Sequence, residues 1–154
     1  MRIERRFTTA EAGAYGDLDF TITTSEIRNP DGRVVFHNDA VEIPKGWSQV
    51  ASDVIAQKYF RKAGVPARLK RIKEKGVPEF LWRSVPDDEA LAKLPEGQRF
   101  VGENSARQVF DRLAGAWTYW GWKGGYFDTE EDASAFQDEL AYMLATQRDR
   151  KSVV

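Results

Sequence analysis

Two long stretches toward the C-terminal end repeat apolar residues every three to four positions, the period of a helix with one buried stripe. In the first, Val109, Phe110, Leu113, Trp117 and Trp120 form the stripe, and Ser105-Ala106-Arg107-Gln108 has capping-box spacing. A helix is therefore expected from Ser105 to about Trp120. In the second, Asp128-Thr129-Glu130-Glu131-Asp132 supplies a hydroxyl cap and first-turn acids, and Ala133, Phe136, Leu140, Met143 and Leu144 supply the stripe. An earlier helix is expected from the N-cap Ser48 to about Ala63, with Val50, Val54 and Ile55 on one side and Tyr59 one turn beyond; Gly64 and Pro66 stop it.

A period of two marks Leu18 to Thr23 as a short strand. Asn29-Pro30-Asp31-Gly32 is a turn, because proline fixes one φ and glycine accepts a positive one. The β-branched runs Arg33 to His37 and Ala40 to Ile43, separated by Asn38-Asp39, read as a small hairpin ending at Pro44-Lys45-Gly46. From Ala67 to Lys75 the chain is mostly basic, and Pro78, Pro86 and Pro95 punctuate the segment from Gly76 to Gly102. That segment is expected to be a loop with one short helix near Asp87 to Leu94. The sum is one domain over 1–154 with a mainly α fold: a strand and loop lead-in over 1–28, a hairpin over 29–46, helices over 47–147 and a tail over 148–154.

The composition narrows the chemistry. At 154 residues with 42% hydrophobic and 31% charged positions, the chain can bury an ordinary core. It has no cysteine and a single histidine, His37, so disulfides, thiolate catalysis, Cys-type zinc sites and His-built metal or charge-relay sites are excluded or disfavoured. A net charge of −1 exerts no global pull toward nucleic acid or anionic lipid. The start carries positive charges without an apolar stretch behind them, and no segment approaches a membrane span, so a cytoplasmic protein is expected.

Several clusters carry candidate chemistry. The run WTYWGWKGGYFDTEEDA, Trp117 to Ala133, gathers Trp117, Tyr119, Trp120, Trp122, Lys123, Tyr126 and Phe127. These rings could stack on a nucleotide beside Lys123, but helical spacing accounts for Trp117 and Trp120 as core, and the aromatic surplus points to a partner docking face. Gly121, Gly124 and Gly125 match neither phosphate-loop pattern and suit a helix-to-helix turn better. The basic residues Arg61, Lys62, Arg68, Lys70, Arg71, Lys73 and Lys75 could meet a phosphate backbone, though a solvated or enzyme-facing patch is the commoner meaning. Glu130, Glu131 and Asp132 read as helix-dipole partners rather than catalytic acids, and His37 as a hairpin side chain. Nothing here assembles a nucleophile, a base and an oxyanion or metal site, so no catalytic, cofactor-binding or metal residue is assigned.

Together with KGWSQVASDVIAQKYFRKAGVP, Lys45 to Pro66, and with RNPDGRVVF and DELAYMLATQ, the aromatic run resembles the N-terminal region of class II, adenosylcobalamin (vitamin B12)-dependent ribonucleotide reductases. The resemblance extends from Asn29 to about Ala145. It implies an enzyme that reduces ribonucleotides to deoxyribonucleotides through a cysteine thiyl radical, whose cysteines lie beyond this region, in and after a ten-stranded α/β barrel. None of those residues can be carried over to a chain without cysteine. Adenosylcobalamin belongs to the full-length enzyme and none is expected to be held by this chain alone.

The family is expected to continue into a substrate loop, whereas this sequence departs after Gln147 and reads RDRKSVV, as a truncated, split or expressed fragment would. The implied role is a scaffold that packs on the catalytic barrel in cis or in trans, meets ribonucleotides only through the full enzyme, and has no membrane or nucleic-acid partner. The alternative is a standalone non-catalytic module that binds a nucleotide or a reductase subunit and regulates it.

Overall fold

The turn at Asn29-Pro30-Asp31-Gly32 organises the first third of the chain. Gly32 sits at φ +84 and its N–H donates to the Asn29 carbonyl at 2.8 Å, while Asp31 accepts the Arg33 N–H at 2.9 Å. In the computed structural model, which describes residues 1–148, this turn joins β1 (Phe20–Arg28) to β2 (Val34–Pro44) as an antiparallel pair. Then come α1 (Gln49–Val54), β3 (Val65–Pro66), β4 (Leu69–Arg71), β5 (Ser84–Pro86), α2 (Asp88–Ala92), β6 (Phe100–Val101), α3 (Ala106–Lys123) and α4 (Glu130–Ala145). Of the tail expected over 148–154, residues 149–154 lie outside the described residues.

The expectation of a mainly α fold is corrected: 38% of the structure is helical and 22% is strand, in three small antiparallel sheets, so the chain is mixed α and β. Part of the difference lies at Asn38-Asp39. These residues do not end a strand but sit inside β2, whose whole length pairs with β1. Thr23 faces Val41 and Ser25 faces Asn38, so Asp39 and Ala40 oppose Thr24 alone. That two-against-one bulge accommodates residues of low strand propensity, and Asn38 Oδ1 accepts the Ala40 N–H at 3.1 Å.

The chain forms two compact units. Among the described residues, the larger comprises Met1–Phe60 and residues 104–148. Its core joins Val41 and Ile43 of β2 with Ile55, Ala56, Phe60, Ala106, Val109, Phe110 and Ala145. Trp47 packs at 5.8 Å against Phe110 and donates Nε1–H to the Ala145 carbonyl at 2.8 Å. A second cluster, Ala114, Leu140 and Ala141, is backed by Phe136, Met143 and Leu144.

Ser48 caps α1 as expected, accepting the Ala51 N–H at 3.2 Å. The helix then widens into a π turn over Ile55–Tyr59, where Phe60 N–H reaches the Ile55 carbonyl at 3.1 Å, and ends at Tyr59 rather than Ala63. Its inward side is Ser52, Ile55 and Ala56; Val50, Val54 and Tyr59 are exposed, Val50 to 72%. Of the expected stripe only Ile55 is buried; Val50 and Val54 lie on the outer side, and the small Ser52 and Ala56 share the interior with Ile55.

The smaller unit is Arg61–Glu103. The loop expected there contains two two-stranded sheets, β3 with β6 and β4 with β5, as well as α2. The short helix falls where the sequence places it, with Asp87 accepting the Ala90 N–H at 3.2 Å. Val77, Leu81 and Leu91 are buried in this unit. Its two ends are tied together: Glu103 N–H donates to the Arg61 carbonyl at 2.8 Å, and Arg61 N–H to the Glu103 carboxylate at 2.9 Å.

Phe110 lies at 4% exposure in the main cluster. Phe110→Ala is expected to lower unfolding free energy by about 4 kcal/mol through lost transfer energy and a residual cavity. Urea titration checks this, and a loss below about 1 kcal/mol would contradict the packing described.

Candidate docking surface

Helix α3 turns small residues inward. Ala106, Ala114, Thr118 and Gly121 are buried along with Val109 and Phe110, and α4 buries Ala133, Ala135, Leu140, Ala141 and Ala145. The Thr118 hydroxyl donates back to the Ala114 carbonyl at 2.7 Å, which satisfies it without a partner on α4. At Gly121 a Cβ would come within 2.8 Å of the Phe127 ring, so glycine is what lets that ring lie against α3.

In the C-terminal half of α3, where the inner residues are Ala114, Thr118 and Gly121, the large rings face out. The buried stripe expected from Val109 through Trp120 holds for Val109 and Phe110, and Leu113 packs partly buried on the main cluster. Trp117 and Trp120 are corrected to the outer side, 39% and 64% exposed. Of the other residues expected on a docking face, Tyr126 is 64% exposed and Lys123 is exposed, whereas Tyr119, Trp122 and Phe127 are half-buried. Phe127 packs on Phe136 with ring centroids 5.4 Å apart. The structure therefore leaves the rings of Trp117, Trp120 and Tyr126 exposed along the C-terminal part of α3 and just beyond its end.

The glycines beyond Lys123 end the helix. Gly125 takes φ +71; its N–H donates to the Trp122 carbonyl at 3.0 Å and that of Tyr126 to the Gly121 carbonyl at 2.9 Å, a Schellman termination. Those two N–H groups are thus engaged by α3 rather than aimed at a phosphate.

The acids that open α4 hold a second element that the sequence reading missed, the N-terminal arm. Thr129 caps the helix by accepting the Asp132 N–H at 3.1 Å, and Asp132 accepts the Ile3 N–H at 2.8 Å. Arg5 bridges Glu131 at 2.9 Å and Asp138 at 2.6 Å, and the terminal amine pairs with Asp128. Glu139 then gathers the N–H groups of Arg6, Phe7 and Thr8 and the Thr8 hydroxyl, at 2.8 to 3.0 Å. Phe7 stacks on Tyr142 at 5.3 Å. Asp132 and Glu139 are seven residues apart, hence on one helix face, and three arginines lie among the first six residues; that spacing was the available signal.

Burial works against the charge of Glu139, but the main-chain N–H groups and the Thr8 hydroxyl outweigh it and hold the carboxyl below its ordinary value. The Ile3 N–H, with Thr129, does the same for Asp132. Elsewhere, His37 lies between Glu26 at 3.2 Å and Asp39 at 2.7 Å on the exposed hairpin. A cavity of about 480 Å³ opens between Asp17, Asp19, Lys45, Trp47 and Gln147. Among the described residues no group of three His, Cys, Asp or Glu is placed to hold a metal, and no helix is long and apolar enough to cross a membrane.

Residues 21–147 match the family described as class II vitamin B12-dependent ribonucleotide reductase, and the chain belongs to that family. It is 71% identical over 147 residues to the vitamin B12-dependent ribonucleotide reductase of Bradyrhizobium diazoefficiens, and 64% identical over 148 residues to that of Agrobacterium fabrum. The Streptomyces avermitilis enzyme of the same name is 30% identical over 149 residues. Each match covers 96% of this chain but only 12% of the relative.

A carboxyl whose folded value is depressed adds stability that is present above its unfolded value and is lost as pH falls through the folded one. Glu139→Gln is therefore expected to cost about 2 kcal/mol near neutral pH, from weakened charge-assisted hydrogen bonds. Below the ordinary value of 4.5 the two proteins should converge. Denaturant titrations at both ends of the range check this, and a gap unchanged near pH 3 would contradict the clamp.

Proposed function

We propose that this chain is the N-terminal scaffold of a vitamin B12-dependent ribonucleoside-diphosphate reductase and docks on the remainder of that enzyme through Trp117, Trp120 and Tyr126. The observation carrying the reading is the exposure of these rings on a chain that matches only 12% of its relatives' length. Tryptophan and tyrosine exposed together on a rigid helix suit a surface that another body covers. The radical and redox steps are assigned to residues outside this chain, since its 154 residues include no thiol.

Adenosylcobalamin is assigned to the rest of the enzyme as well. The one imidazole is bracketed by two carboxylates on the hairpin.

A relative's reductase lacking its first residues, up to the end of the matched region, tests the assignment when mixed with this chain. Association is expected, together with recovery of ribonucleotide reduction. Trp120→Ala should weaken association at least tenfold, as for an aromatic anchor at an interface, without moving the thermal midpoint of the isolated chain. Unchanged association, or an equal loss from destabilisation alone, would overturn the docking role.

A further inference from the structure

The hairpin of β4 and β5 concentrates positive charge on an unpaired strand edge. Between residues 61 and 83 lie eight Lys or Arg and two Glu, in a chain whose net charge is −1. Arg68, Leu69, Lys70, Arg71, Ile72, Lys73 and Lys75 are all exposed. Arg68 and Arg71 donate only to the carbonyls of Ala67 and Glu79, at 2.9 and 3.2 Å. Among the described residues, Arg68, Lys70, Arg71, Lys73 and Lys75 form no salt bridge; in this hairpin Glu74 pairs with Arg83, at 3.8 Å. Charged side chains, lysine especially, blunt an edge strand against self-association, and this edge carries several that have no carboxylate partner among the described residues.

The backbone distinguishes the two edges. The Ile72 N–H donates to the Arg83 carbonyl at 2.9 Å and the Asp87 N–H to the Arg68 carbonyl at 3.1 Å, so alternation turns the main-chain groups of Leu69 and Arg71 outward. On β5 the outward positions are Ser84 and Pro86, and proline has no N–H to offer. β5 is therefore a poor edge for pairing, while β4 keeps complete donor and acceptor pairs flanked by cations. The hairpin also lacks an exposed ring: Phe80 and Trp82 are half-buried, and the Trp82 Nε1–H is donated to the Val77 carbonyl at 2.9 Å. A single-stranded nucleic acid site would be expected to offer stacking faces.

We propose that the free edge of β4 takes an extended acidic polypeptide segment as a third strand. Main-chain bonds to Leu69 and Arg71 fix the register, Lys70, Arg71 and Lys73 pair with its carboxylates, and Leu69 and Ile72 cover the aliphatic parts of its side chains. The exposed rings of α3 play no part in this interaction, so the two surfaces fail or succeed separately.

Fluorescence anisotropy of the full chain with a short labelled peptide of glutamate pairs separated by single threonines, which presents carboxylates on both faces of a strand, tests the proposal. Saturable binding is expected. Weakening of at least tenfold should follow in the Lys70→Glu, Lys73→Glu double variant, whose exposed positions leave the thermal transition in place, and also with the same peptide N-methylated along one edge. An N-methylated peptide that binds equally well would reduce the hairpin to simple charge attraction and overturn strand addition. Tighter binding of a single-stranded oligonucleotide of equal charge would overturn the choice of partner. No saturable binding of the peptide by the folded chain would overturn the proposal altogether.

Discussion

The packing of α3 on α4 through small residues is the constraint on which the rest of the larger unit depends. Ala114, Thr118 and Gly121 on one helix and Ala133, Leu140 and Ala141 on the other occupy the interior, where bulkier residues would hold the helices apart. This choice has two effects. The rings of Trp117 and Trp120, one or two residues from these small positions, are forced to the outer side. The acids of α4 that do not face α3 become available to the N-terminal arm, which Asp132 and Glu139 hold by its backbone rather than by its side chains.

This division of labour explains how a chain with a modest apolar fraction sustains a surface of large aromatics. The interior of this unit is supplied by alanine, valine, isoleucine and leucine with Phe60 and Phe110, and the rings of Trp117, Trp120 and Tyr126 are left for contact outside. Exposed rings on an isolated unit are an aggregation liability. The relatives that the chain matches are reductases of which it spans 12%, and under the proposed docking role these rings are the surface that the remainder covers.

Much of the local structure was legible because it depends on residues close in sequence. Ser105 with Gln108, Thr129 with Asp132, and the Asn29 to Gly32 turn each satisfy their bonds within a few positions, and each forms as the sequence indicates. The errors came where distant residues decide. Asn38-Asp39 looks like a turn until β1 supplies a partner and a bulge absorbs the extra residue. Val50 and Val54 look like core until Ser52 and Ala56 take the inner side, and Trp117 and Trp120 look like core until Ala114 and Thr118 do so. The arm across α4 joins residues more than 120 positions apart, and only the seven-residue spacing of Asp132 and Glu139 hinted at it.

Oxidative footprinting of Trp117, Trp120 and Tyr126, with and without the remainder of a relative's reductase, probes the central claim most directly. The account predicts that all three rings are modified readily in the isolated chain and become protected on addition of the remainder, while buried Phe110 stays unmodified throughout. Rings already protected in the isolated chain would contradict the inward packing of small residues; rings that remain equally reactive in a complex that has formed would contradict the docking surface.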